Sequence, residues 1–125
     1  MLYLIGDSDP LLPLSGGKVK TFWGKHKDRP PLAETIQQWK QANDLPETPA
    51  EVRQESGVRI ERYSRSPERI DLEILLIHGL GHHWPGGKGG LGERLGGPLV
   101  DRVKATERIW DFFRRDSEEG IRQKG

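Results

Sequence analysis

Cysteine is absent from the chain, which removes disulfides and thiolate metal centres while leaving the compartment open. Apolar residues are scarce, 33% of 125, and with a mean hydropathy of −0.74 the chain is poorly supplied for an independent core. No stretch approaches the roughly 20 apolar residues of a membrane span, and no basic segment followed by a long apolar one opens the chain, so no export signal is read from it. An excess of either charge is missing too. Twenty basic residues against nineteen acidic ones give +1, a balance that argues against nucleic acid or an anionic membrane as partner. Turn-formers are plentiful instead, with sixteen glycines and nine prolines. Because Trp, Ile and Leu still cluster, this composition predicts long loops around a folded centre rather than disorder.

The length predicts one domain, yet a two-faced α/β sheet with its covering helices normally needs more chain. Leu2-Tyr3-Leu4-Ile5, ended by Gly6 and Asp7, reads as a buried strand of a parallel sheet. Because it starts at residue 2, the expectation is a chain that begins in the middle of a sheet. Leu32, Ile36 and Trp39 recur at helical spacing and predict an amphipathic helix over residues 31–43. Residues 44–57, with Pro46 and Pro49, read as a connector. Val58, Ile60 and Tyr63 alternate with charged neighbours, the pattern of a half-exposed edge strand. A second buried strand follows over residues 70–77. Nine of the glycines fall between Gly79 and Gly97, a flexible surface excursion. Leu99, Val103, Thr106, Trp110 and Phe113 then mark the stripe of a helix over residues 99–115, with Trp110, Phe112 and Phe113 as core. The predicted organisation is one α/β body over residues 1–116 and a fraying tail over 117–125.

Chemistry concentrates just past the two buried strands. Gly79-Leu80-Gly81-His82-His83-Trp84-Pro85-Gly86 presents a histidine pair on a glycine-rich turn, and Asp9 follows the first strand. If the strands are parallel neighbours, Asp9 and His82 emerge on the same rim, where open α/β sheets hold their ligand sites. A carboxylate accepting a hydrogen bond from one imidazole nitrogen fixes the tautomer and stabilises the imidazolium formed when the other nitrogen takes a proton. Asp9 before Pro10 is also a common turn-former. A zinc site from His78, His82 and His83 is the competing reading. Gly79 and Gly81 oppose the helix that would align them, and no carboxylate or cysteine stands at ligand spacing. Ser15 lies outside any Gly-x-Ser-x-Gly elbow and reads as a turn residue; that elbow is missing from the chain.

Asp9-Pro10-Leu11-Leu12-Pro13-Leu14-Ser15-Gly16-Gly17 resembles the acid segment of the polyhydroxybutyrate depolymerase and feruloyl esterase group of α/β-hydrolases, whose members carry Gly-Thr-x-Asp, then Val-Pro and Gly-Gly. Gly81-His82-x-Trp84-Pro85-Gly86 resembles the group's histidine motif, and Ala105-Thr106-Glu107-x-Ile109-Trp110-x-Phe112-Phe113 its closing helix. The resemblance implies an α/β fold, the C-terminal portion of an α/β-hydrolase with two parallel strands, an antiparallel edge strand, two main helices and an incomplete sheet. It implies Asp9 as triad acid and His82 as triad base, with Trp84 and His83 beside the substrate. Asp7, next to the candidate acid, is a rival for the imidazole. The group's serine nucleophile and oxyanion donors belong to a half that these residues do not contain.

The implied activity is hydrolysis of a small ester or polyester through an acyl-enzyme, with no cofactor and no metal, and with neither nucleic acid nor membrane as partner. Hydroxyalkanoate esters and hydroxycinnamoyl esters of plant polysaccharides are the implied substrates. A chain without the nucleophile should be inactive alone, and its open sheet edge should favour self-association. The alternative is a non-catalytic remnant or interaction module of the same origin.

Overall fold

Aliphatic residues concentrate in two short runs, and in the computed structural model, which describes residues 1–21 and 23–124, these runs lie side by side. Strands β1 (Leu2–Gly6) and β6 (Leu72–Ile77) pair in parallel, Leu2 opposite Glu73 and Gly6 opposite Ile77. Strand β5 (Val58–Tyr63) pairs antiparallel with β6, and β4 (Glu51–Glu55) antiparallel with β5. The result is a four-stranded mixed sheet in the order β1-β6-β5-β4. A separate two-stranded ribbon joins β2 (Gly17–Lys20) to β3 (His26–Arg29). Helices α1 (Leu32–Ala42), α2 (Glu93–Gly96) and α3 (Ala105–Lys124) complete a mixed α/β architecture.

Successive strand residues point to opposite faces, so β6 feeds two cores. Leu72 and Ile74 pack with Leu45 and Tyr63, and against Ile36 and Trp39 of α1. The Trp39 ring meets Tyr3 edge-on, with centroids 4.7 Å apart. Leu75 and Ile77 pack on the other face with Val58, Ile60 and Leu80, beneath Val100 and Val103. Glu73 shares that second face and is wholly buried, 0% exposed. Two arginines accompany it: Arg62 Nε donates to one carboxylate oxygen at 2.6 Å, and Arg108 Nε of α3 to the other at 3.1 Å. Arg108 Nη2 lies 3.0 Å from the same oxygen but off the hydrogen-bond line. Arg62 also reaches Glu51 of β4 at 2.6 Å. One ion cluster therefore ties β4, β5, β6 and α3.

Several elements differ from their sequence patterns. Strand β5 is an inner strand, and the edge is β4, inside the segment read as a connector. Its sequence, Glu-Val-Arg-Gln-Glu, offers no apolar alternation, so backbone pairing carries it. The two-residue turn joining it to β5 has positive φ at Ser56 (48°) and Gly57 (78°), the requirement of a type I′ hairpin. The β2–β3 ribbon is likewise without an apolar pattern, Val19 being its buried residue.

Helix α3 begins at Ala105, later than expected. Residues 99–104 precede it without regular structure, with Arg102 donating to the carbonyls of His78 (3.0 Å) and Ser56 (3.2 Å). The inward face of α3 is Ala105, Arg108, Ile109 and Phe112. Trp110 and Phe113, expected in the core, are 69% and 54% exposed. The stripe shifts because its central member is an arginine, drawn in by Glu73. Helix α3 also continues through most of the tail expected to fray, as far as Lys124, since adding residues to a formed helix costs little. Gly125 lies outside the described residues.

Removing the Glu73 carboxylate would take the partner from the partly buried Arg108 guanidinium and leave Arg62 with Glu51 alone. Taking one partner from a buried ion cluster costs about 3–5 kcal/mol, so Glu73→Ala should lower the unfolding free energy by about 3 kcal/mol in urea titrations. A loss below about 1 kcal/mol, ordinary for a surface ion pair, would contradict the cluster's structural role.

Candidate active site

Parallel pairing brings the carboxyl ends of β1 and β6 to one rim, and the turns that follow are stitched together. Asp7 N–H donates to the Ile77 carbonyl at 3.2 Å and Ser8 N–H to that of Leu80 at 3.1 Å. Two Asp–His pairs result. Asp7 Oδ2 lies 2.6 Å from His78 Nδ1, while its Oδ1 accepts the Gly79 amide at 2.7 Å. Asp9 Oδ2 lies 2.8 Å from His82 Nδ1. The two aspartates therefore do not compete for one imidazole.

Asp9 serves its own turn as well. Its Oδ1 accepts the amides of Leu11 (2.8 Å) and Leu12 (3.0 Å). One oxygen thus serves the turn and the other faces the imidazole. The residue is 7% exposed, so its carboxylate is largely withdrawn from water, while the His82 ring stays partly open to solvent. A carboxylate accepts, so His82 Nδ1 carries the proton and Nε2 is the basic nitrogen. Nε2 has no protein partner among the described residues.

The glycine-rich excursion is less loose than its composition suggests. Residues 96–98 fold back onto the histidine turn: Gly81 N–H donates to the Pro98 carbonyl at 2.7 Å and His82 N–H to that of Gly96 at 2.5 Å. A Cβ at Gly81 would collide with that same Gly96 carbonyl, so this approach requires glycine. His83 bonds through Nε2 to the Gly97 carbonyl at 2.9 Å. A carbonyl only accepts, so the proton sits on Nε2, and buried Nδ1 has no partner. His83 thus props the returning loop.

Asp9, His82, His83 and Trp84 line a cavity of about 370 Å³ whose remaining wall includes Tyr3, Ile5, Leu12 and Ile109. Trp84 is largely exposed at its mouth. An apolar wall with a few converging polar groups is the usual make-up of a small-molecule site. Among the described residues no serine or threonine lines the cavity. Ser8 donates to Asp7 and Ser15 is exposed on its turn. Among the described residues no three His, Asp or Glu side chains are grouped to hold a metal ion. His78 and His82 face different carboxylates.

Sequence reasoning missed the Asp7–His78 pair, although its signal was present. An aspartate and a histidine each come one residue after their strands, as Asp9 and His82 come a little later. No family model, curated protein or solved structure matches the chain.

The Asp7 carboxyl sits below the ordinary aspartate range: partial burial pushes it up, and hydrogen bonds from His78, the Gly79 amide and Ser8 outweigh this. A carboxyl depressed in the folded state contributes stability above the unfolded value of about 3.9 and loses it as pH falls through the folded one. Urea midpoints of wild type and Asp7→Asn, separated at neutral pH, should therefore converge in acid. A constant gap would show that Asp7 stabilises through something other than its charge.

Proposed function

We propose that this chain supplies the acid–base half of a serine esterase site, with Asp9 as acid, His82 as base and the seryl nucleophile contributed by residues beyond these. The observation that carries the reading is the 2.8 Å bond between buried Asp9 and His82 Nδ1, at an apolar cavity, with Nε2 unengaged. The sheet, its parallel pair and the rim location support the finer reading of the fold as the C-terminal part of an α/β-hydrolase. The motif around His82 supports a resemblance to polyhydroxybutyrate depolymerases and feruloyl esterases.

In the complete site, His82 Nε2 removes the seryl proton as the hydroxyl oxygen attacks the ester carbonyl. The imidazolium then returns that proton to the departing alcohol oxygen, leaving an acyl-serine. Water attacks the acyl group by the same route, and the serine is restored. Asp9 stays ionised throughout, orienting the ring and stabilising its positive charge. Apolar Tyr3, Ile5 and Ile109 would shelter the acyl or alcohol portion.

Supporting a further half-site are the open edge of β1 and the aromatic surface at Trp84, Trp110 and Phe113, all more than half exposed. Such surface is unusual on a self-contained small domain. The non-catalytic module reading draws on the same missing nucleophile, and experiment separates the two.

Alone, the chain should hydrolyse p-nitrophenyl acetate no faster than its His82→Ala variant. Co-expressed with the N-terminal half of a related esterase bearing Gly-x-Ser-x-Gly, it should gain hydrolysis that His82→Ala abolishes. Asp9→Asn should then lower kcat by about 10⁴-fold, the loss expected when a triad acid becomes an amide. The isolated chain should bind a hydrophobic dye and the added half should suppress that binding. A dye-silent monomer with a sharp two-state melt, unaltered by the added half, would favour the non-catalytic module.

A further inference from the structure

The balanced net charge of the chain conceals a segregation. Residues 17–29, Gly-Lys-Val-Lys-Thr-Phe-Trp-Gly-Lys-His-Lys-Asp-Arg, hold five basic side chains and one acidic, a net +4. The remaining residues, fifteen basic against eighteen acidic, carry −3. These thirteen residues span the β2–β3 ribbon, which among the described residues shares no ladder with the main sheet.

The ribbon is built to present its end. Thr21 O accepts the Gly24 amide at 3.0 Å, and Thr21 donates both its amide (2.8 Å) and its hydroxyl (2.9 Å) to the Lys25 carbonyl. Gly24, at φ 74°, takes the left-handed conformation that glycine adopts at little cost. Trp23 stands at that tip, 89% exposed. Register places Lys18, Lys20 and His26 on one face of the ribbon, and Lys27 and Arg29 on the other. The four lysines are exposed, and none forms an ion pair among the described residues. Asp28, the single acid, lies across from Lys18.

We propose that this ribbon docks tip-first on an anionic phospholipid bilayer, with Trp23 among the headgroups and Lys18, Lys20, Lys25 and Lys27 around it. Charge complementarity names the surface, and the placement of the charges names its shape. A linear polyanion lying along the ribbon meets one face and leaves the other cations unused, whereas a planar surface met end-on attracts both faces. Lys18 and Lys27 stand two residues behind Lys20 and Lys25, about 7 Å along a strand. That is still within the ~8 Å Debye length at physiological salt. Tryptophan prefers the headgroup layer, apolar ring inward and N–H in water. The balance of the whole chain, which argued against a membrane, is the sum of two unlike parts. The proposal draws on neither Asp9 nor His82, so it stands or falls separately from the esterase reading.

The test is cosedimentation of the full chain with phosphatidylcholine vesicles, with and without phosphatidylserine. Binding should require phosphatidylserine and vanish in molar salt, where the Debye length is about 3 Å. Each lysine near the surface contributes about fivefold to partitioning, so Lys25→Gln/Lys27→Gln should weaken it about 25-fold. Vesicles should blue-shift the tryptophan emission of the wild type and not of Trp23→Phe, although Trp39, Trp84 and Trp110 remain. Equal binding to both vesicle types, full binding by the lysine variant, or binding to duplex DNA or a polyuronate in place of vesicles would overturn the proposal. All three substitutions fall at exposed positions, and unchanged circular dichroism melts will verify their folds.

Discussion

Parallel pairing of β1 with β6 is the constraint from which the rim chemistry follows. With Gly6 opposite Ile77, the next residues of both strands leave the sheet together, and Asp7 and Asp9 meet His78 and His82 in order. A shift of one residue would put every inward side chain on the wrong face and would separate the acid from its imidazole. Parallel strands cannot be joined by a tight turn. The chain between them is long, and it houses the ribbon, α1 and the β4–β5 hairpin.

A chain with so few apolar residues supports this sheet partly by charge. Glu73 occupies a core position in the middle of β6 and is compensated from two sides, by Arg62 of a neighbouring strand and Arg108 of the covering helix. A buried ion cluster of this kind contributes little net stability relative to apolar packing, but it penalises every arrangement that leaves one member alone. It therefore sets the rotation of α3. That rotation turns Ala105 and Ile109 toward the cavity and leaves Trp110 and Phe113 outside.

Much of this was legible in the sequence where apolar periodicity carried it. Strands β1, β5 and β6 and helix α1 lie close to their expected positions, and the turn after each buried strand announced Asp9 and His82. Strand β4 and the β2–β3 ribbon were not legible, because both are held by backbone ladders and turn geometry rather than by buried side chains. The Ser56-Gly57 turn was the available signal. The face of α3 was misread since an arginine stands where an apolar residue belongs, and only the tertiary position of Glu73 explains it. The Asp7–His78 bond and the return of residues 96–98 onto Gly81 depend on distant register, which local pattern does not encode.

The central claim is that Asp9 holds His82 with Nδ1 protonated and Nε2 free to act as a base. The most direct measurement is a long-range proton–nitrogen correlation spectrum of the histidine rings, recorded at a pH where His82 is neutral, for wild type and Asp9→Asn. The account predicts a His82 ring protonated at Nδ1 in the wild type, with that preference weakened or lost in the variant. A wild-type ring protonated at Nε2, or one indifferent to Asp9→Asn, would contradict it.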